Sequence, residues 1–170
     1  MANVEQFAEQ LESNGARVWR TARSRLAECI KTALETVSTD GNVPTELLTF
    51  VNSEDFPEGL ALINELPTGD SQAGLSEAAL GICETGTLAL VSSAENPTSL
   101  NFLVDYHLVT VNESDLVDNL QQAMERLSRN NAWNARAVNF ISGPSRTADI
   151  EQTIQLGAHG PRHLLVFILS

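Results

Sequence analysis

AVNFISGPSRTADIEQTIQLGAHGPRHLLVFIL, residues 137–169, is the stretch on which a fold assignment turns. Its two ends, AVNFIS and LLVFIL, are short apolar runs rich in β-branched and aromatic residues, and both read as strands. LLVFIL has no polar position at all, the pattern of a strand buried on both faces. Between them, Gly143-Pro144 turns the chain. TADIEQTIQLG then reads as a helix that starts near Ser145 or Thr147 and closes on Gly157 as its C-cap. Gly160-Pro161 makes a second turn before the last strand. Strand, helix and strand joined by short connections predict a parallel sheet.

The same grammar extends upstream. YHLVTV (106–111) reads as a strand, and Ser114 is a candidate cap for a helix over DLVDNLQQAMERLSR. That helix would bury Leu116, Leu120, Met124 and Leu127 and carry acids in its first turn. ALGICETGTLALV (79–91) places two apolar runs around Thr85-Gly86, which predicts a hairpin; a helix ending at Glu84 is the rival reading. Val4, Phe7, Ala8 and Leu11 share one helical face up to Asn14-Gly15. ARVWRTA follows as a strand or a continuation of helix. A second helix, RLAECIKTALETV, is capped in this reading by Ser24. TDGNVP breaks it, TELLTFVNS is open between helix and strand, and LALINEL reads as a strand between the loops EDFPEG and PTGDSQAG. SAENPTS and NNAWNAR read as connections. No repeat or linker divides the chain, so residues 1–170 are expected to form a single domain.

Charge removes several functions from contention. The net charge is −12, from 22 acidic against 10 basic residues, and no Lys or Arg stands between Lys31 and Arg126. A basic face for nucleic acid or for an anionic membrane cannot be built over such a surface. No apolar run approaches the roughly 20 residues of a membrane span, and MANVEQFAEQLE lacks the basic leader of a secretory signal. A cytoplasmic address is the expectation. Cys29 and Cys83 are far apart and form no CxxC pair, so neither a metal nor a cofactor is expected on this chain. No P-loop, GxGxxG, GxSxG or HExxH motif occurs.

The candidate chemistry sits at the turns. A turn after a strand, opening a helix, offers free N–H groups to an anion. Gly143, Ser145 and Thr147 would line such a cradle, and Arg146 brings a fork matched to carboxylate or phosphate. Asp149 is the odd member, suited either to orienting Arg146 or to the first turn of the helix. His159, Gly160 and Arg162 gather at the second Gly-Pro turn. His107, in a strand, and His159 and His163 do not have the spacing of a three-histidine metal site. Glu84, Thr85, Gly86 and Thr87 form either a plain hairpin turn or a polar turn aimed at the same cleft.

GPSRTADIEQTIQLGAHGPRHL (143–164), with ETGTLAL (84–90) and YHLVTV upstream in the same order, closely resembles the lactate utilization protein C family, the LUD domain. The resemblance runs from about residue 75 to the end. It implies a three-layer α/β/α fold with a mostly parallel sheet, like that of the sugar-phosphate isomerase and CoA-transferase group. It also implies a part in oxidising L-lactate to pyruvate beside two partner proteins that carry the iron–sulfur clusters. The family's signature positions here are Glu84, Thr85, Gly86, Thr87, His107, Gly143, Pro144, Ser145, Arg146, Thr147, Asp149, Gly157, His159, Gly160, Pro161 and Arg162. Two departures stand out: SSAENPTS replaces a basic or glycine-rich stretch, and LVDYH lacks the usual proline before His107. With the two Gly-Pro turns together, Arg146 and Arg162 would clamp a small carboxylate or phosphate and His159 would carry a proton. Two other functions remain open: a stand-alone enzyme for a phosphorylated or CoA-type ligand, with Glu84 as its catalytic carboxylate, or a small-anion sensor.

Overall fold

The computed structural model describes residues 2–38, 43–49, 61–63, 73–94, 96–130, 134–148, 154–156 and 160–170, with 61–63, 146–148 and 154–156 described as backbone. The loop reading of EDFPEG, the cap at Gly157 and the candidates Asp149 and His159 lie outside these residues.

The apolar run at the end of the chain is the strand His163–Leu169, β12. It lies in the interior of a six-stranded sheet, paired on one side with β7 (Tyr106–Asn112) and on the other with β1 (Arg17–Thr21). Beyond β7 come β4 (Ala73–Glu77), β2 (Glu46–Leu48) and β3 (Ala61–Ile63), giving the order β1-β12-β7-β4-β2-β3. Every pairing in this sheet is parallel. The layered α/β architecture with a mostly parallel sheet is therefore the one expected, and the ambiguous TELLTFVNS is strand at Glu46–Leu48.

Side chains of β12 alternate between two cores, as a strand covered on both sides must. Leu165, Phe167 and Leu169 face α2 (Leu26–Val37), which contributes Leu26, Ile30, Ala33, Leu34 and Val37. Trp19 stacks on Phe167 there, with ring centroids 5.4 Å apart. Leu164, Val166 and Ile168 face the other way, against Phe7 and Leu11 of α1 (Val4–Ser13) and against Leu88 and Leu90 of a second sheet.

That second sheet runs β8-β5-β6-β9 and is mostly antiparallel: β5 is Leu80–Ile82, β6 is Thr87–Val91, β8 is Leu116–Val117 and β9 is Val138–Ile141. The hairpin predicted at Thr85-Gly86 is its β5–β6 pair. Its outer face buries Leu80, Ile82 and Ala89 under Ala123 and Leu127 of α4 (Leu120–Arg129). A short helix α3 (Leu100–Leu103) lies within the stretch after the SAENPTS loop and seals Leu48 with Leu100 and Val104.

Three local expectations are corrected. The described parts of TADIEQTIQLG are strand and not helix: β10 (Arg146–Ala148) and β11 (Ile154–Leu156) pair antiparallel. Within those segments Ile154-Gln155-Leu156 alternates with the period of a strand, and Thr147 and Ile154 are β-branched. Ser114 does not cap α4. It sits in a 3-10 turn, Glu113–Asp115, while Leu116 and Val117 pair with Gly81 and Ile82. The cap is Asn119, whose side chain accepts from the Gln122 N–H at 3.0 Å. Leu120 and Met124 are accordingly 52% and 40% exposed, and no acid stands in the first turn. Ser24 likewise lies in a 3-10 turn, Arg23–Arg25, and α2 begins without a side-chain cap bond.

Truncating Phe167 removes a ring from the most densely covered strand and from its stack on Trp19. Phe167→Ala is expected to cost about 3–5 kcal/mol, read as the shift in a urea unfolding curve; a loss under about 1 kcal/mol would contradict this account of the core.

Candidate functional site

The two predicted turns and the histidine strand meet. Ser145 N–H donates to the Pro161 carbonyl at 2.9 Å, joining the first Gly-Pro turn to the second. A Cβ on Gly160 would lie 3.1 Å from that of Ser145. Beside this junction is a cleft of about 220 Å³ lined by Asn101, Phe102, His107, Phe140, Ile141, Ser142, Gly143, Ser145, Pro161 and Leu164. Gly143 and Ser145 follow the carboxyl end of β9, as expected for a ligand site. In the main sheet, however, the cleft opens at the amino ends, because His107 and Leu164 are the second residues of β7 and β12. With strands in place of the expected helix, no helix dipole contributes at Ser145.

His107 is the best-defined polar group of the cleft. It is fully buried, with Nε2 3.0 Å from the Ser76 hydroxyl. Its Nδ1 has no hydrogen-bond partner among the described residues. Burial lowers its pKa from 6.5 to about 4, so the ring is neutral at pH 7. A neutral imidazole offers one donor and one acceptor, and which nitrogen carries the proton depends on the direction of the Ser76 bond. Asn101, in α3, is 3% exposed, and its Oδ1 is likewise without a partner among the described residues. A buried polar atom left without a hydrogen bond costs about 1–3 kcal/mol.

A line of hydroxyls leads to the same place. Thr85 Oγ1 and Thr87 Oγ1 are 2.7 Å apart, and Thr87 Oγ1 is 2.8 Å from Ser142 Oγ. The turn and this line are pinned from behind by the end of α1. Asn14 donates its amide to the Thr85 carbonyl at 2.9 Å. Gly86 has φ +60°, and a Cβ there would stand 2.5 Å from the Leu11 nitrogen. A Cβ on Gly143 would stand 2.5 Å from the Asn14 carbonyl oxygen.

The structure thus brings Gly143, Ser145, His107 and Gly160 together, with Thr85 and Thr87 reaching the cleft through Ser142. Arg146 and Thr147 open β10. Glu84 and Arg162 do not line the cleft. Glu84 is an exposed turn residue whose N–H donates to the Asp118 carbonyl. The exposed Arg162 pairs with Asp105 at 3.4 Å. Ser76, Asn101, Phe102, Phe140 and Ser142 escaped the sequence reading. For Asn101 there was a signal, a polar residue inside the apolar run LNFLV. Burial raises the pKa of both Cys29 and Cys83, the opposite of an activated thiolate. They pack into different cores, and among the described residues no group of three His, Cys, Asp or Glu is placed to hold a metal.

Because the unfolded chain binds a proton at His107 more readily than the folded one, stability is full above about pH 6.5 and falls as pH drops toward 4. Between about pH 6.5 and pH 5 the loss due to this residue is about 2 kcal/mol, at roughly 1.4 kcal/mol per unit. His107→Gln, which cannot titrate, should lose less stability than wild type over that interval in urea unfolding. Equal losses would show that the buried ring is not held neutral. Gly86→Ala, which meets both the positive φ and the α1 backbone, is expected to lose about 2–3 kcal/mol at any pH in the same assay.

Residues 64–169 match the family model described as the LUD domain. The chain is 29% identical over 174 aligned positions to lactate utilization protein C of Halalkalibacterium halodurans, covering 93% of this chain and 75% of that protein. With lactate utilization protein C of Deinococcus radiodurans the identity is again 29%, over 98% of this chain and 79% of the relative. An uncharacterised protein of Neisseria meningitidis is 39% identical over 97 residues, which are 57% of this chain and 42% of that protein, so the match to it spans less than half its length. The crystal structure of a DUF162 family protein from Deinococcus radiodurans superposes with a TM-score of 0.72 at 20% identity, over 98% of this chain and 96% of the other. No helix among the described residues is long and apolar enough to cross a membrane. The segment holding the hairpin turn, the histidine strand and both Gly-Pro turns is the segment the family model covers, and the chain belongs to the LUD domain family.

Proposed function

We propose that this chain is a subunit of an L-lactate utilization system, oxidising lactate to pyruvate together with partner proteins that carry iron–sulfur clusters, and that the cleft at His107 is its small-ligand site. The observation that supports the reading most is the meeting of both Gly-Pro turns with a buried histidine, inside a domain similar along nearly all its length to two lactate utilization proteins C. Oxidation of lactate releases two electrons and two protons. The two cysteines of this chain, both raised in pKa and set in separate cores, make poor cluster ligands, so the electrons go to the partners. Within the cradle, Ser145, Thr147 and the guanidinium of Arg146 are the proposed holders of a carboxylate. Arg162 is a weaker member of the clamp because Asp105 already neutralises it. His159, two residues before Pro161 in the sequence, is the proposed proton carrier, and Glu84, exposed on the hairpin turn, has no part in this reading.

The test is co-purification from cells grown on L-lactate, with tagged wild type and Arg146→Ala side by side. Wild type should bring down partner proteins with iron–sulfur absorbance. The variant should retain them while lactate oxidation falls at least tenfold, consistent with loss of a charged hydrogen bond of about 1.5–3 kcal/mol. Wild type emerging alone and colourless would overturn the partnership.

A further inference from the structure

We propose that the hollow between the loop 92–98 and Arg136 is a second ligand site, for the phosphate of a small phosphorylated polyol, with the hydroxylated remainder lying toward Glu77. It is separate from the cleft at His107 and rests neither on the reading of that cleft nor on the assignment to lactate oxidation. Glu77 is the last residue of β4, which runs parallel to β7, so this hollow opens at the carboxyl end of the main sheet. The His107 cleft opens at the amino ends. Open α/β sheets bind their ligands outside the carboxyl ends of the strands.

Charge selects the phosphate. In a chain of net charge −12, Arg20, Arg23, Arg25, Arg126, Arg129 and Arg162 each pair with a carboxylate. Arg136 has no such partner among the described residues, and it lines a hollow of about 500 Å³ whose described lining holds no acid. Asn134, Thr98 and Ser92 line it too. Arg136 and Asn134 are exposed, so a solute reaches the guanidinium and the amide directly. Ser92 Oγ accepts from the Ala137 N–H at 2.9 Å, which leaves its O–H to donate. A guanidinium fork, an amide and two hydroxyls exceed what two carboxylate oxygens take up and suit the three oxygens of a phosphate. The frame is set beforehand, which lowers the cost of ordering it on binding. Ser92 N–H donates to the Ala137 carbonyl at 2.9 Å, and the Asn96 side chain donates to the carbonyls of Glu77 and Val91 at 3.2 and 3.3 Å. Ser93 is shared with an adjoining hollow of about 390 Å³ that Glu77 and Asp115 line. Arg23 and Arg126 already neutralise these two carboxylates, so they accept from hydroxyls and offer nothing to a second anion.

The experiment is an NMR titration of the whole purified chain, following the Arg136 Nε–H and the Asn134 side-chain amide. The probes are glycerol phosphate, inorganic phosphate, glycerol and sodium L-lactate, each with wild type, Arg136→Gln and Arg17→Gln. Arg17 is another exposed arginine without an ion pair among the described residues, on the edge strand β1, and controls for net charge. Neither substitution touches the core. Glycerol phosphate should saturate and shift both groups. Arg136→Gln should weaken it by about tenfold or more, and Arg17→Gln by less than about twofold. Inorganic phosphate should shift the same groups with lower affinity, and glycerol should not bind. Glycerol phosphate binding no tighter than inorganic phosphate would overturn the polyol and its reach toward Glu77. L-Lactate binding as tightly as glycerol phosphate, with the same loss in Arg136→Gln, would overturn the choice of phosphate. Equal weakening by the two substitutions, or no saturable shift with any probe, would overturn the site.

Discussion

The rest of the structure depends on β12 being satisfied on four sides at once. Its backbone pairs with β1 and β7, and its side chains fill two different cores. Each of Leu164 to Leu169 is almost wholly buried, and burial of such side chains stabilises by about 1.5–3 kcal/mol apiece. The strands that meet there come from residues 17–21, 106–112 and 163–169, so the sheet forms only by closing very long loops. Losing β12 would not trim an edge. It would open the middle of the sheet and leave β1 and β7 as two raw edges.

That same register builds the cleft. Pairing of His163 with Tyr106 and of Leu164 with His107 brings Pro161 of the second Gly-Pro turn to the cleft that His107 lines. The face of the sheet that carries His107 and Ser76 is also the face covered by the second sheet, whose β9 delivers Phe140, Ser142 and Gly143 to the same spot. One sheet brings His107 and Leu164 to the cleft, and the other brings Phe140 and Ile141. Their hydroxyls and turns are joined through Thr87 and Ser142 and through Ser145 and Pro161.

Much of this was legible in the residues. The all-apolar end of the chain read correctly as a strand buried on both faces, and Gly86 marked a hairpin because only a residue free of a Cβ takes its positive φ between two apolar runs. The site was harder. Both Gly-Pro turns were visible, but their meeting is a tertiary event, and Asn101 and Ser76 come from segments far away in the chain. His107 read as a strand residue, and nothing local announces that its ring is buried beside a cleft with one nitrogen unpaired among the described residues. The misread helix had another origin. Gly157 after an apolar residue has the look of a C-cap, while the strand signal is confined to the short alternation Ile154-Gln155-Leu156. The misplaced start of α4 was a choice between two good caps, settled by Leu116 and Val117 joining a sheet whose existence depends on distant strands.

Gly143 lines the cleft and Gly86 lies in the hairpin turn that reaches it through Thr87 and Ser142, yet what forbids a side chain at either is the carboxyl end of α1. Natural selection acting on these positions therefore guards the seating of a helix at least as much as it guards a reaction. A lineage that abandoned its ligand but retained the domain would still be unable to replace them. Glycines in such a signature identify ancestry and architecture, and the divergence of chemistry among members would be recorded instead at positions such as Asn101 and Phe140, where the scaffold makes no comparable demand.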